Sequence, residues 1–263
     1  MKNLNLIRNA REELHRTVQL ISYFPRNLID HDPTDASASL MWNDGIQGFE
    51  TQSINGVKVG LNLLEQSLLI MREGKISMSI TTIEKSFDQV FEELRVALEI
   101  KGFDSSRLVK DSPYELPERV VKLGQPFNTI DASALVELYS LTQNVLIEIF
   151  SGLPQASEVR CWPHHFDLAT LVTIVPHEDR KQMKSIGFGF SPGDNGYDEP
   201  YFYLTPWPYP PKDQLYETKP PAIWNTEGWT GGVLRAFEID SGTKEATVTE
   251  FFRTGLEKLK PIV

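Results

Sequence analysis

The sequence has one cysteine, no long apolar run and no excess of basic residues. Cys161 alone cannot form an internal disulfide or a cysteine-based zinc cluster, which is typical of a protein in a reducing compartment. No apolar stretch reaches the roughly 20 residues of a membrane span, and Met1–Ile21 lacks the pattern of a signal peptide. We therefore predict a cytoplasmic protein that does not bind membranes.

The charge balance argues against a nucleic-acid partner. The chain carries 36 acidic residues against 26 basic ones, a net charge of −10. The basic residues are scattered, so the chain as a whole repels a phosphate backbone. The sequence also contains no GxGxxG, P-loop or HExxH motif, which excludes the commonest nucleotide-binding and zinc-protease signatures.

The composition is that of a folded domain, with 40% hydrophobic and 24% charged residues among 263. Apolar residues at spacings of three and four predict helices. These are a first helix that ends at Pro25, a second over about Ser86–Lys101, a third from Asp131 or Ser133 to Gly152, and a last one over about Lys244–Leu259.

Between residues 40 and 82 the pattern changes to short strands with Asn55-Gly56 and Gly74 as turn signals, which predicts an antiparallel meander. Further strands are expected at about 158–175 and 183–190. These elements predict an α+β fold, an antiparallel or mixed sheet with three to four helices packed on it. We expect one domain over residues 1–263, with an alternative boundary near 103–130.

Aromatic residues and prolines are concentrated in Phe188–Trp229. Because prolines lack a donor and favour extended backbone, we expect this segment to lie over the fold outside the strand ladders. Its aromatic side chains, Tyr203 and Trp207 among them, would line a ligand cleft or clamp a long loop onto the core. Within it, Gly193–Glu199 favours a hairpin turn, and its carboxylates are alternative metal ligands.

The stretch CWPHHFDLATLVTI, which starts at Cys161, combines two histidines and an aspartate with a strand pattern. Alternation along a strand would place His165 and Asp167 on one face, and Trp162 and His164 on the other. Pro163 favours a bulge that would turn His164 towards the same cavity.

Imidazole and carboxylate groups at this spacing suit two kinds of site. His164, His165 and Asp167 would hold a divalent metal, or a carboxylate would orient an imidazole as a general base. Alternatively, these groups satisfy one another and the backbone at a strand end. Cys161 is a candidate nucleophile, or a small buried strand residue.

His15 and Gln19 are four residues apart on the first helix and form a polar stripe beside its apolar stripe. They would reach a pocket between helix and sheet, or form a solvated helix edge.

The chain resembles a bacterial protein family of unknown function. The resemblance is distant but collinear over most of the chain, and it depends on a Leu-His-x-x-x-Gln first helix, a Trp-x-x-x-Phe-Asp-Leu-Ala strand and a late aromatic segment. The matching residues are Leu14, His15, Gln19, Trp162, Phe166, Asp167, Leu168, Ala169, Gly187, Phe188, Phe202, Tyr203 and Pro208. The resemblance implies one continuous domain with His15, Gln19 and Asp167 as the shared polar residues.

The chain also departs from the family pattern. His164 and His165 replace Gly and Ser, Ser22 and Tyr23 replace a Gly-Lys pair, and Asn62 and Gln66 stand where Asp and His are expected. The last two changes replace ionisable groups by amides, which weakens an acid-base mechanism that depends on the whole set.

The sequence is compatible with three functions. The first is small-molecule binding in an aromatic cleft, with the following candidate residues: His15, Gln19, Trp162, His164, His165, Asp167, Tyr203 and Trp207. The second is a metal-assisted hydrolase or related enzyme in which His164, His165 and Asp167 bind a divalent metal; otherwise no cofactor is expected. The third is a partner or homodimer surface formed by Trp207, Tyr209, Trp224 and Trp229.

Overall fold

A computed structural model describes residues 4–30, 36–112, 114–116, 124–179 and 181–263. In these ranges the chain forms two antiparallel sheets, of five and six strands, together with four α-helices. The helices are α1 (Leu4–Leu28), α2 (Phe87–Ile100), α3 (Ser133–Phe150) and α4 (Lys244–Leu259). The α+β prediction is confirmed, with the strands shared between two sheets. None of these four helices is long and apolar enough to cross a bilayer.

The chain divides into two compact units. The N-terminal unit comprises Asn3–Ser140 and Cys161–Phe166, and the C-terminal unit comprises Leu141–Arg160 and Asp167–Val263. The alternative boundary near 103–130 lies partly outside the described residues, and the single domain stays a prediction.

The N-terminal sheet is the predicted meander. Its strands lie in chain order: β1 (Met41–Asn43), β2 (Gly48–Glu50), β3 (Val57–Asn62), β4 (Ser67–Arg72) and β5 (Lys75–Thr81). Helix α1 packs against β3 and α2, and α2 packs against β4 and β5. Buried side chains such as Val18, Leu61 and Leu94 form the core of this unit.

Helix α2 begins where the sequence predicts. Ser86 is its N-cap: the Ser86 hydroxyl accepts from the Gln89 amide, and the Gln89 side chain accepts from the Ser86 amide. This reciprocal pair satisfies two amides that have no partner inside the helix. Phe87, Val90 and Leu94 are all buried, as their spacing predicts.

Helix α1 is longer than predicted. It continues through Pro25 to Leu28, and the Ile29 amide donates to the Pro25 carbonyl at 2.9 Å. A proline removes a single donor, so the helical ladder resumes on its C-terminal side. The prediction that Pro25 ends the helix is therefore wrong.

The second sheet has the order β10-β11-β9-β8-β7-β6. Its strands are β6 (Arg160–Trp162), β7 (Asp167–Val175), β8 (Lys184–Ser191), β9 (Tyr201–Trp207), β10 (Ile223–Asn225) and β11 (Gly231–Arg235). Two of them, β9 and β10, lie inside the aromatic segment, so the prediction that the whole segment lies outside the ladders is wrong. In β9, Phe202 and Leu204 are fully buried while Tyr203 between them is half-buried, and this alternation outweighs the proline signal.

Helix α4 covers one face of this sheet and packs against β8, β9 and β11. Phe188 of β8 contacts Phe252 of α4 edge to face, with ring centroids 5.8 Å apart. Gly255 allows the close approach, since a Cβ atom there would lie 2.3 Å from Leu204 Cδ2. The bounds of α4 are those predicted from its sequence.

Candidate functional site

The two histidines lie in a turn rather than a strand. Strand β6 ends at Trp162, and the amides of His165 and Phe166 both donate to the Trp162 carbonyl, at 3.1 and 2.7 Å. Phe166 closes the turn in the left-handed region, with φ 59°. Strand alternation does not apply to a turn, so the prediction that His165 and Asp167 share a strand face is wrong.

His15 and Gln19 hold this turn to helix α1. Both are buried, with 2% and 1% exposure, so the solvated helix edge is excluded. His15 Nε2 lies 3.0 Å and Gln19 Nε2 lies 2.6 Å from the Pro163 carbonyl oxygen. Because a carbonyl only accepts, the His15 proton in this bond is on Nε2. The His15 ring also stacks on Phe166, with centroids 5.5 Å apart.

The Gln19 amide extends this network. Its Nε2 also donates to the His15 carbonyl at 3.1 Å, and its Oε1 accepts from the Tyr114 hydroxyl at 3.1 Å. The Tyr114 hydroxyl accepts in turn from Arg26 Nη2 at 2.9 Å. The Gln19 side chain thus makes three hydrogen bonds within the protein.

His164 is half-buried among rings. Its centroid lies 5.0 Å from that of Tyr114, 4.1 Å from that of His165 and 6.4 Å from that of Trp162. Burial, with the nearby His165 and Arg26, lowers the pKa of His164 to about 4, so the ring is neutral at neutral pH. Its Nδ1 atom is buried and has no hydrogen bond to the residues described. His165 is exposed.

Asp167 and Tyr203 meet in the C-terminal unit. The Tyr203 hydroxyl donates to Asp167 Oδ2 at 2.5 Å. The register places Gly189 opposite both Ala169 and Tyr203. A Cβ atom on Gly189 would lie 2.7 Å from the Tyr203 hydroxyl, so the glycine makes room for the pair.

The eight candidate residues divide between the two units. His15, Gln19, Trp162, His164 and His165 belong to the N-terminal unit, while Asp167, Tyr203 and Trp207 belong to the C-terminal unit. Trp207 is 40% exposed and contacts Tyr209 edge to face at 5.4 Å. A single cleft that holds all eight stays a prediction.

The structure adds no support for the metal hypothesis. The described ranges contain no group of three or more His, Cys, Asp or Glu side chains that could hold a metal ion. In the loop that joins β8 to β9, Asp194 Oδ1 accepts from the amides of Gly196 and Tyr197, and its Oδ2 accepts from the Tyr201 hydroxyl. These bonds confirm the predicted hairpin turn. Cys161 is fully buried in β6, which agrees with the interpretation of a small buried strand residue rather than a nucleophile.

A cavity of about 730 Å³ lies between residues 216–222 and one face of α4. This volume is in the range of small-molecule sites. The helix lines it with residues spaced three and four apart, which share a face. The cavity is lined by Tyr216, Glu217, Thr218, Lys219, Pro220, Pro221, Ala222, Leu234, Ala246, Thr247, Glu250, Phe251, Thr254, Glu257 and Lys258.

Tyr216 is fixed by its backbone and open at its hydroxyl. Trp224 Nε1 donates to the Tyr216 carbonyl at 2.7 Å, and the two rings meet edge to face at 5.2 Å. The Tyr216 hydroxyl makes no hydrogen bond to any residue in the described ranges. Burial raises the pKa of this phenol to about 12, so the hydroxyl keeps its proton at neutral pH.

The sequence patterns predict a cleft at the aromatic segment but do not single out Tyr216 or the α4 wall. The available signal is the Phe251-Phe252 pair, because adjacent apolar residues on a helix point in directions about 100° apart and so indicate two covered faces. Phe252 enters the sheet core, and Phe251 lines the cavity.

No family model, curated protein or solved structure matches this chain. The geometry of its own residues therefore carries the functional proposal.

Proposed function

We propose that the protein binds a small molecule and that the ligand occupies the cavity between residues 216–222 and α4. The observation that carries the proposal is a cavity of about 730 Å³ whose lining includes Tyr216, a tyrosine with no hydroxyl hydrogen bond to any described residue. Ligand sites combine apolar walls with a few polar groups that fix orientation. Pro221, Leu234 and Phe251 provide such walls, and Tyr216 provides a polar group.

The polar turn of the N-terminal unit supports ligand binding less well. His15 and Gln19 already direct their side-chain donors at the Pro163 carbonyl, so these bonds stabilise the turn. A buried donor that is already paired gains little from a ligand. We therefore assign His15 and Gln19 a structural role in this proposal.

A partner surface is the second candidate. Trp207 and Tyr209 are 40% and 44% exposed and adjacent. Trp224 and Trp229 are half-buried, so they add less to such a surface. Single exposed aromatic residues are common on monomers, and this pair alone is small for an interface. Light scattering tests this alternative: a dimer that W207S converts to a monomer would favour it.

A bulky side chain placed in the cavity tests whether ligands bind there. Thr254 is half-buried on the cavity face of α4, and neighbouring Arg253 is exposed and does not line the cavity. We expect a fragment screen by ligand-observed NMR to give hits that T254W abolishes and R253W keeps. Hits that bind both variants equally, or a screen without hits at millimolar concentration, would contradict the proposal.

A further inference from the structure

The charges at the cavity do not cancel. Three carboxylates and two ammonium groups line it: Glu217, Glu250, Glu257, Lys219 and Lys258. Lys219 Nζ pairs with Glu250 at 3.5 Å, and Lys258 Nζ pairs with Glu257 at 3.0 Å. Glu217 makes no ion pair or hydrogen bond with any residue in the described ranges. One negative charge at the cavity is therefore left over.

The surroundings of Glu217 favour a cation. The whole chain has a net charge of −10, so its long-range field attracts positive ligands. The neighbouring Tyr216 also lines the cavity, and an aromatic face attracts a cation through its quadrupole. The apolar part of the lining, including Pro220, Pro221 and Phe251, requires the rest of the ligand to be apolar.

We infer that the cavity takes a cationic amphiphile, an apolar or aromatic body with one ammonium group that pairs with Glu217. This inference rests on the proposed function and adds the chemical class of the ligand. The ammonium N–H groups would donate to the Glu217 carboxylate, while the body lies between Pro221 and Phe251. An anionic ligand of the same shape would meet the unpaired carboxylate and be repelled.

Three probes with one naphthalene body separate charge from shape: 1-naphthylmethylamine, 1-naphthylmethanol and 1-naphthoate. Glu217 is exposed, so at about 20 mM salt, where screening is weak, calorimetry should give the amine a Kd about three- to fivefold below that of the alcohol, as expected for a solvent-exposed ion pair. The naphthoate should bind most weakly. The preference for the amine should shrink at about 200 mM salt.

Two variants locate the effect. E217Q should remove the difference in affinity between the amine and the alcohol. E245Q removes one charge from α4 away from the cavity lining, so it should keep the preference.

The outcomes distinguish the two proposals. Equal binding of all three probes, tighter binding of naphthoate, or a preference that survives E217Q would overturn the cationic ligand and leave the cavity as a binding site. Absence of binding by all three probes to the unmodified chain would count against the cavity itself.

Discussion

The polar turn at Trp162–Phe166 and the cavity at Tyr216 differ in whether their polar side chains have hydrogen-bond partners. At the turn, His15 and Gln19 are buried and bonded to the Pro163 carbonyl. At the cavity, Tyr216 is part of the lining and its hydroxyl makes no hydrogen bond to the described residues. His15 and Gln19, which stand out in the sequence, stabilise the fold, whereas the less conspicuous Tyr216 lines the cavity. The polar groups that are easiest to notice in the sequence are therefore not the ones that are available to a ligand.

The largest expected effect is at the turn. Replacing Gln19 by Leu removes three hydrogen bonds inside a buried network, so we expect the free energy of unfolding to fall by about 2–4 kcal/mol. Urea denaturation followed by circular dichroism measures this change. Gln155, which is exposed, provides the matched control, and Q155L should alter stability by less than about 0.5 kcal/mol. Equal stability of Q19L and the unmodified chain would end the structural assignment of Gln19.

A pair of tyrosines sharpens the contrast between bonded and open hydroxyls. Tyr203 donates to the Asp167 carboxylate at 2.5 Å, so Y203F should lose about 1–2 kcal/mol of unfolding free energy. The same denaturation experiment measures it. The comparison fails if Y203F is as stable as the unmodified chain.

The turn should also weaken in acid. The folded-state pKa of His164 is about 4 and its ordinary value is 6.5, so the unfolded chain takes up the proton first as the pH falls. Stability is therefore lost from about pH 6.5 down towards pH 4. After allowance for the partial exposure of the ring, we expect a loss of about 1 kcal/mol at pH 5.

This pH dependence is measured as a difference between variants, because carboxylates also titrate in acid. H164Q should flatten the fall in unfolding free energy between pH 6.5 and 5, while H177Q, at an exposed histidine, should keep it. An H164Q curve parallel to that of the unmodified chain would show that His164 is not the group responsible.

The smallest effect on stability is expected at the cavity. Y216F removes no hydrogen bond to the described residues, so the free energy of unfolding should change by less than about 0.5 kcal/mol. Binding of a cavity ligand that bonds the hydroxyl should nevertheless weaken, which calorimetry can measure. A stability loss as large as that of Y203F would mean that the hydroxyl is already engaged.

Local patterns predicted much of the fold. The bounds of α4, the start of α2 near Ser86 and the meander of β1–β5 all follow from spacing and turn signals. These signals act between residues close in the chain, so one sequence is enough to read them.

The parts that were missed depend on distant residues. The partner of His15 and Gln19 is the carbonyl of Pro163, nearly 150 residues away, and no periodicity reveals such a contact. The sequence predicts a strand instead of the turn at Pro163, because the residues on both sides have strand patterns. The cavity is formed by two segments, residues 216–222 and α4. The sequence of each segment alone is typical of an ordinary protein surface.

The glycine at position 255 has a consequence for related sequences. With a Cβ atom only 2.3 Å from Leu204 Cδ2, any larger residue at 255 requires the Leu204 side chain to move or to be replaced by a smaller one. Relatives in which this helix packs on the same strand should therefore show covariation between the two positions. A saturation scan should find that position 255 tolerates fewer substitutions than the positions on either side of it.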